Sequence, residues 1–118
     1  MKKITVLIPC FNDWDCLNLL IPSIDSHIEK LDIDFDLLII NDCSSIKNNL
    51  SLKNIRNINS IKILNLKKNV KAQIAIATGL EYLKNNNFVG GIIVMDADGQ
   101  DDPENIIEIV ENIKINPL

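Results

Sequence analysis

Residues 37–45 read Leu-Leu-Ile-Ile-Asn-Asp-Cys-Ser-Ser, four large apolar side chains followed at once by a polar loop. The apolar run is continuous, whereas a strand with one solvent-facing side alternates apolar and polar residues. A short continuous run is typical of a strand that is buried on both faces of a parallel sheet. Three further apolar runs, most of them equally continuous, lie at 4–8, 61–66 and 91–95. The sequence therefore predicts four buried strands.

Apolar residues recur at helical spacing between and after the four runs. Segments 17–28, 72–83 and 106–113 each carry such a face, and a further helix is predicted within 45–58, where asparagine is plentiful. The last helix has a clear start, because Asp102 can cap it and Pro103 suits its first position. This order predicts an α/β fold, an open and mostly parallel sheet in alternating β-α units with right-handed crossovers. A chain of 118 residues is one such domain.

Composition and charge exclude several classes of protein. The chain has 47% hydrophobic and 24% charged residues, which excludes disorder, and its net charge of −4 argues against nucleic acid as a partner. No apolar run approaches the ~20 residues of a membrane span, and Asn12 and Asp13 come too early for a signal peptide. The cytoplasm is the expected compartment. The three cysteines have no C-x-x-C spacing and are interpreted as small buried side chains.

The loops that follow the strands hold the candidate site, because ligands of such sheets bind beyond the carboxyl ends of the strands. In the last loop Asp96 and Asp98 are one residue apart, so their carboxylates project the same way from an extended chain. Together they can hold one hard cation, Mg²⁺ or Mn²⁺, with Gln100 as a nearby neutral oxygen ligand. The alternative is that these aspartates only end a strand and cap a helix. Since no glycine-rich phosphate loop is present, phosphates would be held through the metal.

Four blocks of the chain resemble a known family. They read TVLIPCFND at 5–13, LLIINDCSS at 37–45, NVKAQIAIATGL at 69–80 and IIVMDADGQDDPE at 92–104. In this order and spacing they are similar to the successive blocks of inverting family 2 glycosyltransferases of the GT-A type. The closest branch is that of the polyprenyl- and dolichyl-phosphate sugar transferases. The resemblance covers nearly the whole chain and implies the Rossmann-like, nucleotide-sugar-binding half of a GT-A fold.

The resemblance assigns donor-binding roles to three residues of the first two blocks. Pro9 and Phe11 match positions that line the nucleotide base, and Asp42 matches an aspartate that contacts the base. Two plainer alternatives remain. Phe11 would then belong to the core, and Asp42 would cap the following segment through Ser44 and Ser45.

The later blocks are assigned to the donor phosphates and the metal. Asp96 and Asp98 match the D-x-D pair, in which Asp96 also serves the donor and Asp98 is the more direct metal ligand. Gln100 matches a glutamine that joins the metal site in the polyprenyl-phosphate branch. Lys71 departs from the family, which commonly has glycine there. Its side chain would either reach a donor phosphate or obstruct the donor.

The function implied by the resemblance is metal-dependent binding of a UDP- or GDP-linked sugar, for transfer to a polyprenyl phosphate or a saccharide. Such an enzyme serves cell-envelope glycan synthesis, in the cytoplasm or at the inner face of the membrane. Family members continue into an acceptor-binding half, and this chain stops at Leu118, after the fourth β-α unit. The catalytic base is therefore expected in the absent half, and the exposed sheet edge predicts a homo-oligomer. The alternative is a non-catalytic module that binds a nucleotide sugar or a partner chain.

Overall fold

A computed structural model describes residues 2–98, 102–105 and 108. Its strands β1 (Lys2–Cys10), β2 (Ile33–Asn41), β3 (Ile58–Asn65) and β4 (Gly91–Val94) form one sheet in the order β3-β2-β1-β4. Every strand pairing in this sheet is parallel. Helix α1 (Trp14–His27) lies between β1 and β2 in the chain, and α2 (Ala72–Asn85) lies between β3 and β4. The predicted α/β fold with an open parallel sheet is confirmed.

The two helices cover the two faces of the central strands β1 and β2, which explains why these two strands are continuous apolar runs. The prediction of burial on both faces is wrong for β3 and β4, whose residues are mostly half-buried or exposed. Helix α1 packs on one face, where Trp14 and Ile21 meet alternate residues of β1 and β2. Helix α2 packs on the other face, where Ala75 meets Leu7 and Ile40. The predicted inward face of α1 is buried at all five positions, which are Leu17, Leu20, Ile21, Ile24 and Ile28.

Helix α2 lies close to the sheet because Gly79 has no side chain. A Cβ at this position would collide with Leu7 Cδ1 and lie 3.0 Å from Ile40 Cδ1. Both of those side chains are fully buried and have no room to move aside. The predicted face of α2 is only partly buried, since Leu80 and Ala72 are exposed.

The prediction of a helix within 45–58 is wrong. Residues 42–57 form an irregular crossover, with no helix, between the end of β2 and the start of β3. Asparagine side chains there compete for main-chain hydrogen bonds, as when Asn48 Oδ1 accepts from the Leu50 N–H at 2.8 Å. Asn54 has a φ of 62°, a left-handed conformation that interrupts any right-handed helix.

Side chains of α1 hold this crossover in place. The indole Nε1 of Trp14 donates to the carbonyl oxygen of Ile46 at 2.9 Å. The amide nitrogen of Asn18 donates to the Asn49 carbonyl at 3.2 Å, and its Oδ1 accepts from the Ser51 N–H at 2.8 Å. Long-range hydrogen bonds thus replace the internal bonds that a helix would have made.

A buried carboxylate on α1 fixes the point where the crossover becomes β3. Asp25 is 6% exposed, and its Oδ1 accepts from the N–H groups of Asn57 and Ile58 at 2.7 and 2.8 Å. Its Oδ2 accepts from the Arg56 N–H at 3.1 Å. Three successive main-chain donors therefore depend on one side chain.

The predicted start of the last helix is confirmed where the structure describes it. Asp102 Oδ1 accepts from the Glu104 N–H at 3.0 Å, which is the bond expected of a capping aspartate. Most of the predicted helix 106–113 lies outside the described residues.

Strand β4 has two apolar side chains in contact with solvent. Ile92 and Val94 are 39% and 44% exposed. The homo-oligomer predicted from the sheet edge stays a prediction. Among the residues that the structure describes, no helix has both the length and the apolar character needed to cross a membrane.

Candidate functional site

An open cleft of about 180 Å³ lies at the carboxyl end of the sheet. The chain runs from β1 outward to β2 and β3, then returns to the other side of β1 to form β4. Strand order therefore reverses between β1 and β4, and ligands of open α/β sheets bind at such a switch point. The cleft is lined by the loops after β1, β2 and β4 and by the start of α2, through Pro9, Cys10, Phe11, Asp13, Asp42, Ala72, Asp96, Ala97 and Asp98.

The end of β1 and the loop that follows it contribute Pro9, Cys10, Phe11 and Asp13 to the cleft. Pro9 is buried, whereas Phe11 is 46% exposed and lines the cleft with part of its ring in solvent. The alternative in which Phe11 belongs to the core is therefore wrong. Asp13 follows at the same spacing and stands at the N-cap position of α1, but its side chain makes no capping hydrogen bond.

Asp42 lies at the inner wall of the cleft and is 3% exposed. Its Oδ1 accepts from the Val70 N–H at 2.7 Å, and its Oδ2 accepts from the Asn69 amide at 3.1 Å. The alternative in which Asp42 caps through serine is wrong, because Asn41 Oδ1 accepts from the Ser44 N–H at 3.0 Å instead. Asp42 thus faces the cleft and also ties the end of β2 to the loop before α2.

Lys71 is exposed at the start of α2, directly before the cleft-lining Ala72. Its backbone has φ 72° and ψ 161°, a region that residues other than glycine rarely adopt. The commonness of glycine at this place in the resembling family therefore has a physical reason here. Whether the lysine side chain reaches a donor phosphate stays a prediction.

Asp96 and Asp98 both line the cleft, on either side of the buried Ala97. Both side chains are exposed. The extended conformation predicted for this pair is wrong, because the chain turns at Ala97 and Asp98. Within the described residues no group of three or more His, Cys, Asp or Glu side chains could hold a metal ion. Mg²⁺ is usually bound through only one or two carboxylates together with substrate phosphates, so this pair still fits such a cation. Gln100, the third predicted ligand, lies outside the described residues.

Cys10 forms part of the wall of the cleft and is almost completely buried. Burial raises the pKa of the Cys10 thiol above its ordinary value. The thiol is therefore protonated and unreactive at neutral pH. Cys16 is half-buried and Cys43 is exposed, so the interpretation of the cysteines as buried side chains holds only for Cys10.

Four residues line the cleft without having been predicted as site residues from the sequence, namely Cys10, Asp13, Ala72 and Ala97. For Asp13 a signal was present, since it is a polar residue in the segment that directly follows an apolar strand. Ala72 and Ala97 carry no chemistry that a sequence pattern reveals, and they matter because they leave space.

A profile of glycosyl transferase family 2 matches residues 5–118 of the chain. An uncharacterized glycosyltransferase of Synechocystis is 33% identical over 110 residues, which cover 92% of this chain and 33% of that protein. The uncharacterized glycosyltransferase YkcC of Bacillus subtilis is 29% identical over 111 residues, which cover 93% of this chain and 33% of that protein. The chain thus spans about a third of the length of the curated relatives it matches.

Solved structures show the same fold. The crystal structure of S. aureus TarS matches with a TM-score of 0.55 at 17% identity, over 94% of this chain and 19% of that one. A structure of TarS residues 1–349 matches with a TM-score of 0.54 at 19% identity, over 94% and 32% of the two chains.

Proposed function

The chain belongs to glycosyl transferase family 2, and from this membership we propose that its cleft binds the nucleoside diphosphate of a UDP- or GDP-linked sugar. The observation that carries the proposal is the convergence of Phe11, Asp42, Asp96 and Asp98 on one cleft. These residues come from three separate loops, and they meet between β1 and β4, where strand order reverses.

The base would lie on the side of the cleft formed by Pro9, Phe11 and Asp42. The exposed part of the Phe11 ring offers a flat apolar surface on which a nucleobase can stack. Each Asp42 oxygen accepts one hydrogen bond, and a carboxylate has about four acceptor sites in total. Asp42 can therefore still accept a hydrogen bond from a base N–H.

The diphosphate would lie on the side formed by Asp96 and Asp98, with Mg²⁺ or Mn²⁺ held between these carboxylates and the phosphate oxygens. The cation, when bound, would neutralise the charge that develops on the departing nucleoside diphosphate. Asp98 would be its more direct ligand, Asp96 would also orient the donor, and Gln100 would complete the site. Lys71 precedes the cleft-lining Ala72 in the chain, and its side chain would meet a phosphate oxygen.

Transfer itself requires an acceptor oxygen that attacks the anomeric carbon of the sugar. A polyprenyl phosphate supplies an oxygen that is already anionic, whereas a saccharide hydroxyl needs a general base. Proposed acceptors are therefore a polyprenyl phosphate, at the inner face of the membrane, or a saccharide of the cell envelope.

The first test is calorimetric titration of the chain with UDP and with GDP, in the presence and absence of Mn²⁺. We expect one nucleotide to bind only with Mn²⁺, and Asp98→Ala to weaken this binding by about tenfold or more, since a charged ligand is lost. Asp32→Ala is the matched control, because it removes one exposed aspartate just before β2, away from the cleft. Unchanged affinity in Asp98→Ala, or no binding of either nucleotide, would contradict the proposal.

The second candidate is a module that binds the nucleotide sugar without transferring it. It predicts the same nucleotide binding, and it differs in that no sugar is released or transferred when acceptors are supplied. An assay with a labelled donor separates the two.

A further inference from the structure

Asn12 lies beside the cleft, between two residues that line it. It stands between Phe11 and Asp13, which both line the cleft, but it is not itself part of the lining. Its φ of 63° is left-handed, a conformation that asparagine tolerates better than most other residues with a side chain. The chain therefore turns sharply at Asn12.

The side chain and main chain of Asn12 bind the loop after β2. Its N–H donates to Ser44 Oγ at 3.0 Å. Its Nδ2 donates to Ser45 Oγ at 3.0 Å, and its Oδ1 accepts from the Ile46 N–H at 2.8 Å. One residue thus makes three hydrogen bonds to three successive residues that are 32 to 34 positions away in the chain.

The same two loops are also joined beneath the cleft. The Asp42 N–H donates to the Cys10 carbonyl at 2.8 Å. Cys10 and Asp42 both line the cleft. The contacts of Asn12 therefore add to this bond in holding the wall that carries Phe11 against the wall that carries Asp42.

We propose that Asn12 is a positioning residue of the donor cleft, and this inference rests on the proposed function. Without lining the cleft, Asn12 locks the loop after β1 to the loop after β2, so that Phe11 and Asp42 are in place before a nucleotide arrives. The apparent affinity of a ligand is its intrinsic affinity multiplied by the fraction of molecules already in the competent conformation, so affinity falls as that fraction falls. Loss of the lock therefore weakens binding although no ligand contact is removed.

Asn18 is a matched control for this idea. Its side chain also makes one donor and one acceptor bond to the same crossover, to Asn49 O and from Ser51 N. Asn18 lies within α1 and does not line the cleft. Removing its side chain deletes the same number of crossover bonds at a distance from Phe11 and Asp42.

The test compares three variants by calorimetry with the nucleotide that the wild type binds in Mn²⁺, and by urea unfolding. Asn12→Gly keeps the left-handed backbone and removes both side-chain bonds, and we expect about tenfold weaker binding. Asn18→Ala should lower the free energy of unfolding by about as much as Asn12→Gly does, because each removes two hydrogen bonds to the crossover. Its nucleotide affinity should change by less than about twofold. Asn12→Asp should restore binding to within about threefold of wild type, because its carboxylate can accept from both Ile46 N–H and the Ser45 hydroxyl.

Hydrogen exchange of the ligand-free chains gives a second readout. Asn12→Gly should speed exchange in segments 10–13 and 42–46, whereas Asn18→Ala should not. Equal losses of affinity in Asn12→Gly and Asn18→Ala, or wild-type affinity in Asn12→Gly, would overturn the positioning role. If the wild type binds no nucleotide, the proposed function fails, and equal exchange in the two variants would still refute the lock on its own.

Discussion

Asp42 makes its side-chain hydrogen bonds to residues that are distant from it in the sequence. The sequence places it at the end of a strand, and that much is readable locally. Its hydrogen-bond partners, Asn69 and Val70, lie 27 and 28 residues further along the chain. No local pattern could have revealed them, because the contact exists only once β3 has paired with β2. The joint exposure of Asp96 and Asp98 around the buried Ala97 was predicted from an extended chain, but the chain turns at Ala97 and Asp98.

Lys71 gives a prediction at the same scale. A side chain at φ 72° and ψ 161° costs of order 1–3 kcal/mol, and glycine removes this strain at a smaller entropic cost. Lys71→Gly should therefore raise the free energy of unfolding by about 1 kcal/mol, measured by urea unfolding. The nucleotide affinity of the same variant decides the role of the lysine: it falls if the side chain holds a phosphate and rises if it obstructs the donor.

The control for Lys71→Gly is Lys68→Gly in the same loop. Lys68 is also exposed, and it is not among the residues with a positive φ. Glycine there should lower stability by about 0.5–1 kcal/mol, since only the entropic cost applies. A loss of stability in both variants would refute strain at Lys71.

Among the elements, the strands were predictable and the crossover 42–57 was not. Continuous apolar runs located all four strands, although only β1 and β2 are largely buried, and α1 shows its inward face as a simple repeat. The crossover has no such repeat of its own, because its conformation is held by side chains of α1, including Trp14, Asn18 and Asp25. The conformation of the crossover therefore depends on its contacts with α1, and neither segment predicts it alone.

Asp25 provides the prediction for the crossover. Asp25→Ala leaves three main-chain N–H groups at the start of β3 without their acceptor. We expect the free energy of unfolding to fall by about 3–5 kcal/mol in urea. Asp25→Asn should lose less, because one amide oxygen can still accept from Asn57 and Ile58.

The matched control is Asp15→Ala, on the same helix. Asp15 Oδ1 accepts one exposed hydrogen bond, from Asn49 Nδ2 at 2.9 Å. Its loss should change stability by no more than about 0.5 kcal/mol. Equal losses of unfolding free energy in Asp15→Ala and Asp25→Ala would show that the buried carboxylate contributes no more to stability than the exposed one.

In the whole molecule, the cleft gathers residues from Pro9 to Asp98, so that it depends on the entire order of strands. The sequence predicted that polar loops follow parallel strands, and the general rule for such sheets placed the site at their carboxyl ends. It did not predict which strands are neighbours. The β3-β2-β1-β4 order arises from how the two helices cover opposite faces, which no single segment encodes.

Because the cleft joins distant segments, a ligand there should stabilise the whole fold. With nucleotide and Mn²⁺ at about a hundred times the dissociation constant, stability should rise by about 2.7 kcal/mol. We expect the Tm to increase by several degrees in a thermal scan, and EDTA to reverse the increase. A Tm that is the same with and without Mn²⁺ and nucleotide would contradict a nucleotide site in the cleft formed by the loops after β1, β2 and β4 and the start of α2.

The hydrogen bond from Trp14 to the crossover has a practical consequence. Trp14 is the only tryptophan of the chain and is 1% exposed, and its indole N–H points at the Ile46 carbonyl. Its emission is therefore an optical reporter that the wild-type protein already contains, sensitive to the docking of 42–57 on α1. Circular dichroism follows the helices and strands instead. Comparing the two signals tells whether the crossover detaches on its own or only together with the sheet.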